Sequence, residues 1–366
     1  MTSTSPRETP VSTAKPPGVD PSAIRRVLLI APSWVGDLVM ATPAIRALGR
    51  HFENAELTAL VRPVGADVLE HNPHIARFVV ADRRGRGPES ENGRQLGRLL
   101  RRSGFDLTVI LPNSFHAALT AWRARAGRRV GYVGQWRTPL LTDRLPRPRE
   151  NGKVVPINMV DRYLRLCRAV GCEDLSRTEE LFASDEDRSN AASILESVGV
   201  APGDRLAVLI PGASFGPAKQ WGAEKFARVG DGLIERYGMK VIAHVGPGEG
   251  ATGDALAAAS RKGVIVPPPK TIDLKVLKPV IERAEVVISN DTGPRHYAVA
   301  YDVPNVAILG PTSRRYIDVN LDRTALLQAD VPCGPCQRRV CPEDHACMER
   351  ITPEQVLAAA ASLGLS

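Results

Sequence analysis

"RRVLLIAPSWVGDLVMATPAIRAL", residues 25–48, joins an apolar run to a segment whose apolar positions recur at helical spacing. The run "RRVLLI" is typical of a buried strand, and Asp37 is the only acidic residue between Ala31 and Leu48. A buried strand that passes through a loop into a helix is the first half of a βαβ unit, which builds parallel sheets. The stretch therefore predicts a strand, a loop and a helix, with one carboxylate where the loop enters the helix.

The same alternation of strand and helix patterns recurs along the chain. Apolar runs such as "AELTALV" and "LTVILP" precede helical patterns, and the rhythm restarts after an acidic helical segment with "RLAVLIP", "AEVVISN" and "NVAILGP". A length of 366 residues suits two domains. We therefore predict an α/β protein with two doubly wound, Rossmann-like halves. The predicted segments are a tail at 1–22, domains at 23–185 and 186–350, and a C-terminal helix at 351–366 with Thr352 as its N-cap.

Composition restricts the class of protein. No apolar run reaches the roughly 20 residues that span a bilayer, and the Ser-, Thr- and Pro-rich residues 1–22 lack the apolar centre of a secretory signal. We expect a disordered tail and a cytoplasmic protein. The net charge of +8 favours phosphate-bearing partners. Residues 81–105 and 121–150 carry much of the basic excess, but no nucleic-acid-binding motif is present, so we do not expect a nucleic-acid partner.

The loops that follow the predicted strands are the candidate sites, because open α/β sheets bind ligands beyond the carboxyl ends of their strands. Asp37 lies in the first of these loops. A carboxylate at the start of a helix stabilises the helix dipole by about 0.3–1 kcal/mol and needs no further function. Beside Gly36, which lets a ligand approach the backbone, Asp37 can instead accept a proton from a substrate hydroxyl. The residues alone leave both interpretations open.

Three loops of the second half have residue types that suit a nucleotide. "PGASFGPAKQW", residues 211–221, lacks the P-loop pattern, but its glycines, Ser214 and Lys219 suit a phosphate; a solvated surface turn is the alternative. "SNDTGPRHYAVA", residues 289–300, opens a helix whose amides can meet a pyrophosphate, and its His296 can donate to an oxyanion or face the core. In "GPGEGATGD", Glu249 can accept hydrogen bonds from ribose hydroxyls.

Five motifs occur in one order along nearly the whole chain after residue 24: "PSWVGD", "LPNSF", "NMVDRY", "PGASFGPAKQW" and "SNDTGPRHYA". Together they resemble the ADP-heptose:lipopolysaccharide heptosyltransferases of glycosyltransferase family 9, and are most similar to the heptosyltransferase II members. The resemblance implies a GT-B fold, in which two Rossmann-like domains face a cleft. It places the acceptor on the N-terminal domain and the nucleotide-sugar on the C-terminal one. Arg295 and Tyr297 depart from the small or apolar residues that are more usual beside His296.

The resemblance also implies a reaction and the residues that perform it. The reaction is inverting, metal-independent transfer of heptose from ADP-heptose to heptose I of the lipopolysaccharide inner core. Asp37 matches the general base, and Lys219 and Ser214 match positions at the donor phosphates, where Lys219 stabilises the leaving group. Glu249 matches a ribose contact. The donor-binding loop is matched by Asp291, Thr292, Gly293 and His296. Two alternatives remain: a family member with another nucleotide-sugar or acceptor, and a non-catalytic protein that binds nucleotide-sugars or nucleic acid.

Two arginines of the basic first half are predicted to bind the acceptor. Arg62 directly follows "AELTALV", which places it at a carboxyl end facing the cleft, and Arg137 follows another predicted strand in "GYVGQWRTPL". Acceptors of the resembled family are phosphorylated lipid A–core molecules. The remaining arginines can attract anionic headgroups. We therefore expect peripheral association with the cytoplasmic face of the inner membrane.

The C-terminal segment contains a cysteine pattern with metal-ligand potential. The spacing is C-x2-C-x4-C-x5-C, for which zinc is the default ligand and an iron–sulfur cluster an alternative. A structural zinc site, reduced free thiols and disulfides all remain open, although disulfides are disfavoured in a cytosolic protein. Cys167 and Cys172 have the pattern of ordinary buried thiols. The predicted zinc ligands are Cys333, Cys336, Cys341 and Cys347.

Overall fold

Two parallel sheets organise the residues that the computed structural model describes, 19–81 and 93–365. Most of the tail predicted at 1–22 lies outside those residues. In the described part, the first sheet has six strands in the order β3-β2-β1-β4-β5-β6, the strand order of a dinucleotide-binding Rossmann fold. The strands are β1 Arg26–Ile30, β2 Glu56–Val61, β3 Arg77–Val80, β4 Leu107–Ile110, β5 Arg128–Tyr132 and β6 Asp143–Leu145.

Helices cover both faces of this sheet, as the alternating pattern predicts. The opening stretch forms β1 and then two short helices, so Asp37 falls in the first helical turn, as predicted. A two-stranded antiparallel hairpin, β7 Arg149–Glu150 with β8 Lys153–Val154, follows the sheet. The helices are α1 Val35–Val39, α2 Thr42–His51, α3 Pro63–Leu69, α4 Gly93–Arg102, α5 Phe115–Ala124 and α6 Met159–Ala169.

The second sheet repeats the architecture with five described strands in the order β10-β9-β11-β12-β13, all parallel. Its central strands are buried over their whole length, so they read as continuous apolar runs in the sequence. The strands are β9 Leu206–Ile210, β10 Lys240–Ala243, β11 Val286–Asn290, β12 Asn305–Leu309 and β13 Thr324–Gln328. The helices are α7 Asp185–Ser197, α8 Ala223–Tyr237, α9 Gly250–Ala259, α10 Leu277–Arg283, α11 Arg295–Ala300, α12 Ala346–Glu349 and α13 Pro353–Ser362.

The two halves share one apolar core. Leu38 and Val39 of α1 belong to the same buried cluster as Tyr297 and Ala298 of α11. Helix α7, at the predicted boundary near residue 185, begins with a capping box in which Ser184 and Asp187 bond each other's backbone amides. The shared core therefore holds the carboxyl ends of the two sheets towards one another. The division at residue 185 stays a prediction.

The C-terminal helix packs back onto the second half. Thr352 and Gln355 form a capping box at its start, which confirms the predicted N-cap. Leu357 fills the space over Gly232 of α8, where a Cβ atom would lie 2.7 Å from Leu357 Cδ1. Trp221 Nε1 donates to the carbonyl of Ile351 at 2.9 Å. No helix in residues 19–81 or 93–365 has the length and apolar character needed to cross a bilayer.

Candidate active site

A cleft of about 620 Å³ lies between the two sheets, at the carboxyl ends of their strands. Loops from both halves line it. This is the position that the strand-end rule predicts for a ligand site. The structure brings together every residue predicted for catalysis or donor binding: Asp37, Ser214, Lys219, Glu249, Asp291, Thr292, Gly293 and His296.

Asp37 offers a carboxylate to this cleft without a protein partner. The side chain lies in the first turn of α1 and is partly buried. Within the described ranges, its carboxylate has neither a hydrogen bond nor an ion pair. Burial raises the pKa of Asp37 to about 6, although the positive charges of Arg162 and Lys219 oppose the shift. A carboxylate with that pKa is largely ionised at neutral pH and is a stronger base than an exposed aspartate.

Two glycines, Gly36 and Gly293, let the loop that carries Asp37 contact the 289–300 loop of the other half. A Cβ atom on Gly293 would lie 2.6 Å from Val35 Cβ and 2.8 Å from the Gly36 nitrogen. A Cβ atom on Gly36 would lie 3.0 Å from His296 Cδ2. Neither position has room for a larger residue unless the two loops separate. The close approach of these backbones therefore fixes the position of Asp37 opposite the C-terminal half.

Lys219 and Asp291 form a buried ion pair on the C-terminal side of the cleft. Lys219 Nζ lies 2.6 Å from Asp291 Oδ2 and also donates to the Asp291 carbonyl at 3.1 Å. The Thr312 hydroxyl donates to the same carboxylate oxygen at 2.6 Å. Burial alone would raise the pKa of Asp291, but Lys219 and Arg295 hold it below its ordinary value. The pair therefore fixes the ammonium group of Lys219 in the cleft, beside the carboxylate of Asp291, which also lines it.

Glu249 occupies a notch that Gly212 leaves open. Its Oε2 atom accepts a hydrogen bond from the Gly246 nitrogen at 2.7 Å. A Cβ atom on Gly212 would lie only 1.9 Å from that oxygen, so any larger residue would displace the carboxylate. The first glycine of the 211–221 loop is thus required by the position of Glu249. Ser214 of the same loop is exposed to the cleft.

His296 has a polar partner at each ring nitrogen. Nδ1 lies 3.2 Å from Glu179 Oε2, and Nε2 lies 3.3 Å from Arg295 Nη2. A guanidinium can only donate, so Nε2 accepts and Nδ1 carries the proton that it donates to Glu179. Burial and the charge of Arg295 lower the pKa of His296, which keeps the ring neutral at neutral pH. The ring edge borders the cleft, and the role of His296 towards a donor stays a prediction.

The two residues that depart from the family pattern lie behind the cleft lining. Arg295 and Tyr297 are fully buried and do not line the cleft. The Tyr297 hydroxyl donates to the carbonyl of Leu274 at 3.2 Å. Their size therefore changes the packing beneath the donor loop rather than the shape of the described cleft.

The predicted acceptor residues lie outside the lining of the cleft. Arg62 is exposed at the start of α3. Arg137 is 1% exposed, and its guanidinium donates to the Pro112 carbonyl at 2.6 Å and to the Asn113 side chain. Burial lowers the pKa of Arg137 to about 10, with further lowering from neighbouring arginines. Arg137 thus holds the loop between β4 and α5, and acceptor binding by either arginine stays a prediction.

Sequence reasoning missed several polar residues of the site, among them Thr312, Asp67 and Glu179. Thr312 follows β12, so the strand-end rule could have found it. Asp67 lines the cleft from α3, and burial together with Asp273 raises its pKa. Glu179 lies in the irregular segment between α6 and α7, so it does not follow a strand directly. Its bond to His296 spans 117 positions of the chain, so no local pattern signals it.

The C-terminal cysteines do not form the predicted zinc site. Across residues 19–81 and 93–365, no three His, Cys, Asp or Glu side chains converge as metal ligands do. All six cysteines are free, and Cys167 and Cys172 are buried as predicted. The environments of the other four differ, since Cys333 is exposed, Cys336 and Cys341 are partly exposed and Cys347 is buried.

The segment 333–347 is hydrogen-bonded to the loop that carries Lys219. The Ala218 nitrogen donates to the Arg339 carbonyl at 3.0 Å, and His345 Nε2 lies 2.8 Å from the Ala218 carbonyl. The guanidinium carbon of Arg339 lies over the Phe215 ring, 5.6 Å from the ring centroid. The backbone of the segment is therefore hydrogen-bonded to the loop that carries Lys219. Burial raises the pKa of the Cys347 thiol, and the nearby Cys341, Cys333 and Cys336 raise it further.

Comparison with known proteins places this site in a family. The profile of glycosyltransferase family 9 (heptosyltransferase) matches residues 93–347. The chain belongs to glycosyltransferase family 9. As a member, it is a glycosyltransferase, and the resemblance seen in its motifs is confirmed. It is 29% identical over 306 residues to lipooligosaccharide heptosyltransferase 2 of Haemophilus ducreyi, which covers 80% of this chain and 85% of the relative.

Two solved structures share the fold. E. coli ADP-heptose lipopolysaccharide heptosyltransferase II superposes with a TM-score of 0.76 at 25% identity, covering 92% of this chain and 98% of the other. A family 9 glycosyltransferase from Veillonella parvula superposes with a TM-score of 0.80 at 23% identity, covering 93% and 97%. These likenesses confirm the predicted GT-B arrangement of two Rossmann-like domains about a cleft.

Proposed function

We propose that this family 9 enzyme transfers heptose from ADP-heptose to heptose I of the lipopolysaccharide inner core, with inversion at the sugar. The observation that carries the proposal is the unpaired carboxylate of Asp37 in the same cleft as the Lys219–Asp291 pair. The names of the relatives, a lipooligosaccharide heptosyltransferase and an ADP-heptose lipopolysaccharide heptosyltransferase, support the donor and the acceptor class.

In the proposed reaction, Asp37 takes the proton of the acceptor hydroxyl while that oxygen attacks the anomeric carbon. The new glycosidic bond forms as the bond between the anomeric carbon and the phosphate oxygen breaks, and the electron pair leaves with ADP. Attack on the face opposite the leaving group inverts the anomeric centre. A base near pKa 6 suits this step, because it is ionised at neutral pH yet retains affinity for a proton.

Lys219 stabilises the departing diphosphate in this proposal. Its ammonium group is held by Asp291 and lies over the Phe215 ring, 5.1 Å from the centroid, so its position is fixed before the donor binds. A preorganised charge avoids reorganisation during the reaction and is the usual source of large electrostatic rate effects. Because Lys219 supplies the positive charge, we propose that transfer needs no metal. Turnover in the presence of a chelator tests this point.

The remaining assignments follow the two sides of the cleft. On the C-terminal side, Glu249 would bind the ribose and the loop around Gly293 the pyrophosphate. In the N-terminal half, outside the lining of the cleft, the exposed Arg62 would bind phosphorylated groups of the acceptor, and the buried Arg137 would contribute to acceptor binding by holding the loop between β4 and α5. We place the enzyme at the cytoplasmic face of the inner membrane, where a lipid-borne acceptor is exposed.

The deciding experiment is turnover with a panel of nucleotide-sugars and defined core acceptors. We expect ADP-heptose and an acceptor ending in heptose I to give the highest kcat/KM. Asp37→Asn should lower kcat by about a hundredfold or more, the scale of a lost general base. The matched variant Asp67→Asn changes another carboxylate of the cleft and should lose far less. Near-normal turnover of Asp37→Asn would remove Asp37 from the mechanism, and preference for another sugar would replace the proposed donor.

A further inference from the structure

A second cavity, of about 440 Å³, lies between α4 and α5 on the outside of the N-terminal half. Gly97 of α4 lets α5 approach, since a Cβ atom there would lie 2.9 Å from Arg123 Cβ. Both helices can therefore contribute to one surface. The cavity lies near the amino ends of the strands, because it includes the end of α5 and the start of β5, away from the cleft. Its side chains are Arg98, Arg101, Trp122, Arg123, Arg125 and Arg129.

The described residues that line this cavity are strongly basic. Five of them are arginines, and none of the lining residues within 19–81 and 93–365 is acidic. Arg98, Arg101 and Arg125 are exposed, and within 19–81 and 93–365 none of them has a hydrogen bond or an ion pair. Arg129 is held by the Ala126 and Leu140 carbonyls at 2.7 and 2.9 Å. Like charges gathered in this way repel each other, and an anion that binds several of them relieves the repulsion.

Exposed apolar side chains continue the same surface towards the cleft. Phe115 and Trp122 of α5 are 44% and 51% exposed, and their spacing of seven residues places them on one face of the helix. Leu99 of α4 is 43% exposed. Phe115 begins α5 directly after the loop at the carboxyl end of β4, so the apolar face starts at the cleft side. A ten-residue helix spans about 15 Å, and the arginines lie at its far end.

We propose that this α4–α5 face docks on the anionic phospholipid headgroups of a bilayer. Arg98, Arg101 and Arg125 bind lipid phosphates, while Phe115 and Trp122 enter the headgroup region, where aromatic side chains are favoured. Arginines beside exposed aromatic and aliphatic side chains suit the boundary between lipid headgroups and acyl chains, and the proposed function supplies a lipid-borne acceptor. Because exposed aromatic side chains also stack on bases, nucleic acid is the alternative that the test below decides. The inference deepens the proposed function and rests on it for the presence of a lipid-borne acceptor. Docking in this way would lay the mouth of the cleft beside the membrane.

The test is flotation of the full-length enzyme with phosphatidylethanolamine–phosphatidylglycerol vesicles, and with phosphatidylcholine vesicles as the uncharged comparison. The triple variant Arg98→Glu, Arg101→Glu and Arg125→Glu should bind the anionic vesicles about a hundredfold more weakly. The control triple variant changes exposed basic residues of the C-terminal half by the same total charge and should bind like the unmodified enzyme. It consists of Arg236→Glu, Lys240→Glu and Arg261→Glu.

The apolar contribution is tested separately with Trp122→Ser. This variant should lose several-fold in vesicle affinity at high salt, where screening weakens the arginine contribution. Equal binding by the two triple variants would overturn the proposal. Stronger binding of the unmodified enzyme to an oligonucleotide than to anionic vesicles would also overturn it.

Transfer assays separate this inference from the proposed function. With a de-acylated, water-soluble acceptor, the arginine triple variant should turn over like the unmodified enzyme. A loss of turnover there would show that these arginines bind the acceptor itself, which contradicts lipid docking. Absence of heptose transfer by the unmodified enzyme, with vesicle binding intact, would instead contradict the proposed function alone.

Discussion

The burial of Asp37 disfavours its ionised form, which is the form that the proposed reaction uses. Burial raises its pKa from the ordinary 3.8 to about 6, so the ionised form is less favourable in the folded protein than in the unfolded chain. The folded state then binds a proton more tightly than the unfolded state. Stability from this group is therefore greatest at acid pH and is lost as pH rises from about 4 through about 6.

The same shift predicts the pH dependence of the reaction. We expect log kcat/KM for the acceptor to rise with pH on the acid side and to level off above an apparent pKa of about 6, since only ionised Asp37 can accept the proton. Initial rates measured across buffers between acid and neutral pH provide the profile. If kcat/KM instead falls with an apparent pKa near 4, the Asp37 carboxylate is as well solvated in the working enzyme as a free aspartate, which contradicts the raised pKa.

Asp37→Asn should also stabilise the protein at neutral pH. An amide of similar size carries no charge to desolvate, and the two-unit pKa shift corresponds to at most about 3 kcal/mol. The side chain is partly exposed to the cleft, so we expect a gain of about 1–2 kcal/mol. Denaturant unfolding at neutral and at acid pH measures it, and the gain should shrink on the acid side. A less stable variant at neutral pH would contradict the assigned burial.

At the scale of elements, the 211–221 loop is held from two sides. Lys219 is fixed by Asp291 after β11, and Ala218 is fixed by the segment 333–347. Both residues belong to one short 3-10 helix, Pro217–Lys219. The contacts of Ala218 therefore also restrict the position of Lys219. We infer that the geometry of the 211–221 loop depends on segments of the chain that are distant in sequence.

Lys219→Ala should weaken ADP affinity by about tenfold or more, because a charge-assisted contact to the diphosphate is lost. It also leaves the Asp291 carboxylate buried without its cation, so the variant should be less stable. Lys225→Ala is the matched control: this lysine lies in the same half, bonded to Glu349 at 2.8 Å. Calorimetric titration with ADP compares the two. Similar affinities for both variants would make Lys219 an ordinary structural lysine.

At the scale of the whole molecule, the contact between Gly36 and Gly293 joins the two halves. Gly293→Ala would place a methyl group 2.6 Å from Val35 Cβ, which forces the loops apart. We expect kcat to fall by about tenfold or more, because an ångström-scale misplacement of a base is enough for such a loss, while ADP affinity changes less. Gly203→Ala, where a Cβ atom meets nothing within 4 Å, is the control. An unchanged kcat for Gly293→Ala would show that the contact does not position Asp37.

Much of the architecture was predictable because its signals are local. Buried parallel strands read as apolar runs, and the residues after them, Asp37, Lys219 and Asp291 among them, converge wherever such sheets face one cleft. The environment of Arg137 was not predictable, because it depends on a loop 24 positions earlier in the chain. The zinc prediction has less support, because ligand spacing permits a metal site but no converging set of three ligands is found among the described residues.

The hydrogen bonds between the segment 333–347 and the 211–221 loop form late in the synthesis of the chain on the ribosome. His345 and Ala218 are separated by 127 positions, so the loop leaves the ribosome long before its support is synthesised. At about 5–20 residues per second, the interval is roughly 6–25 s. During that interval the 211–221 loop of an emerging chain lacks one of the contacts that fix it. Nascent chains that stop before residue 345 should therefore bind a nucleotide more weakly than chains that include it.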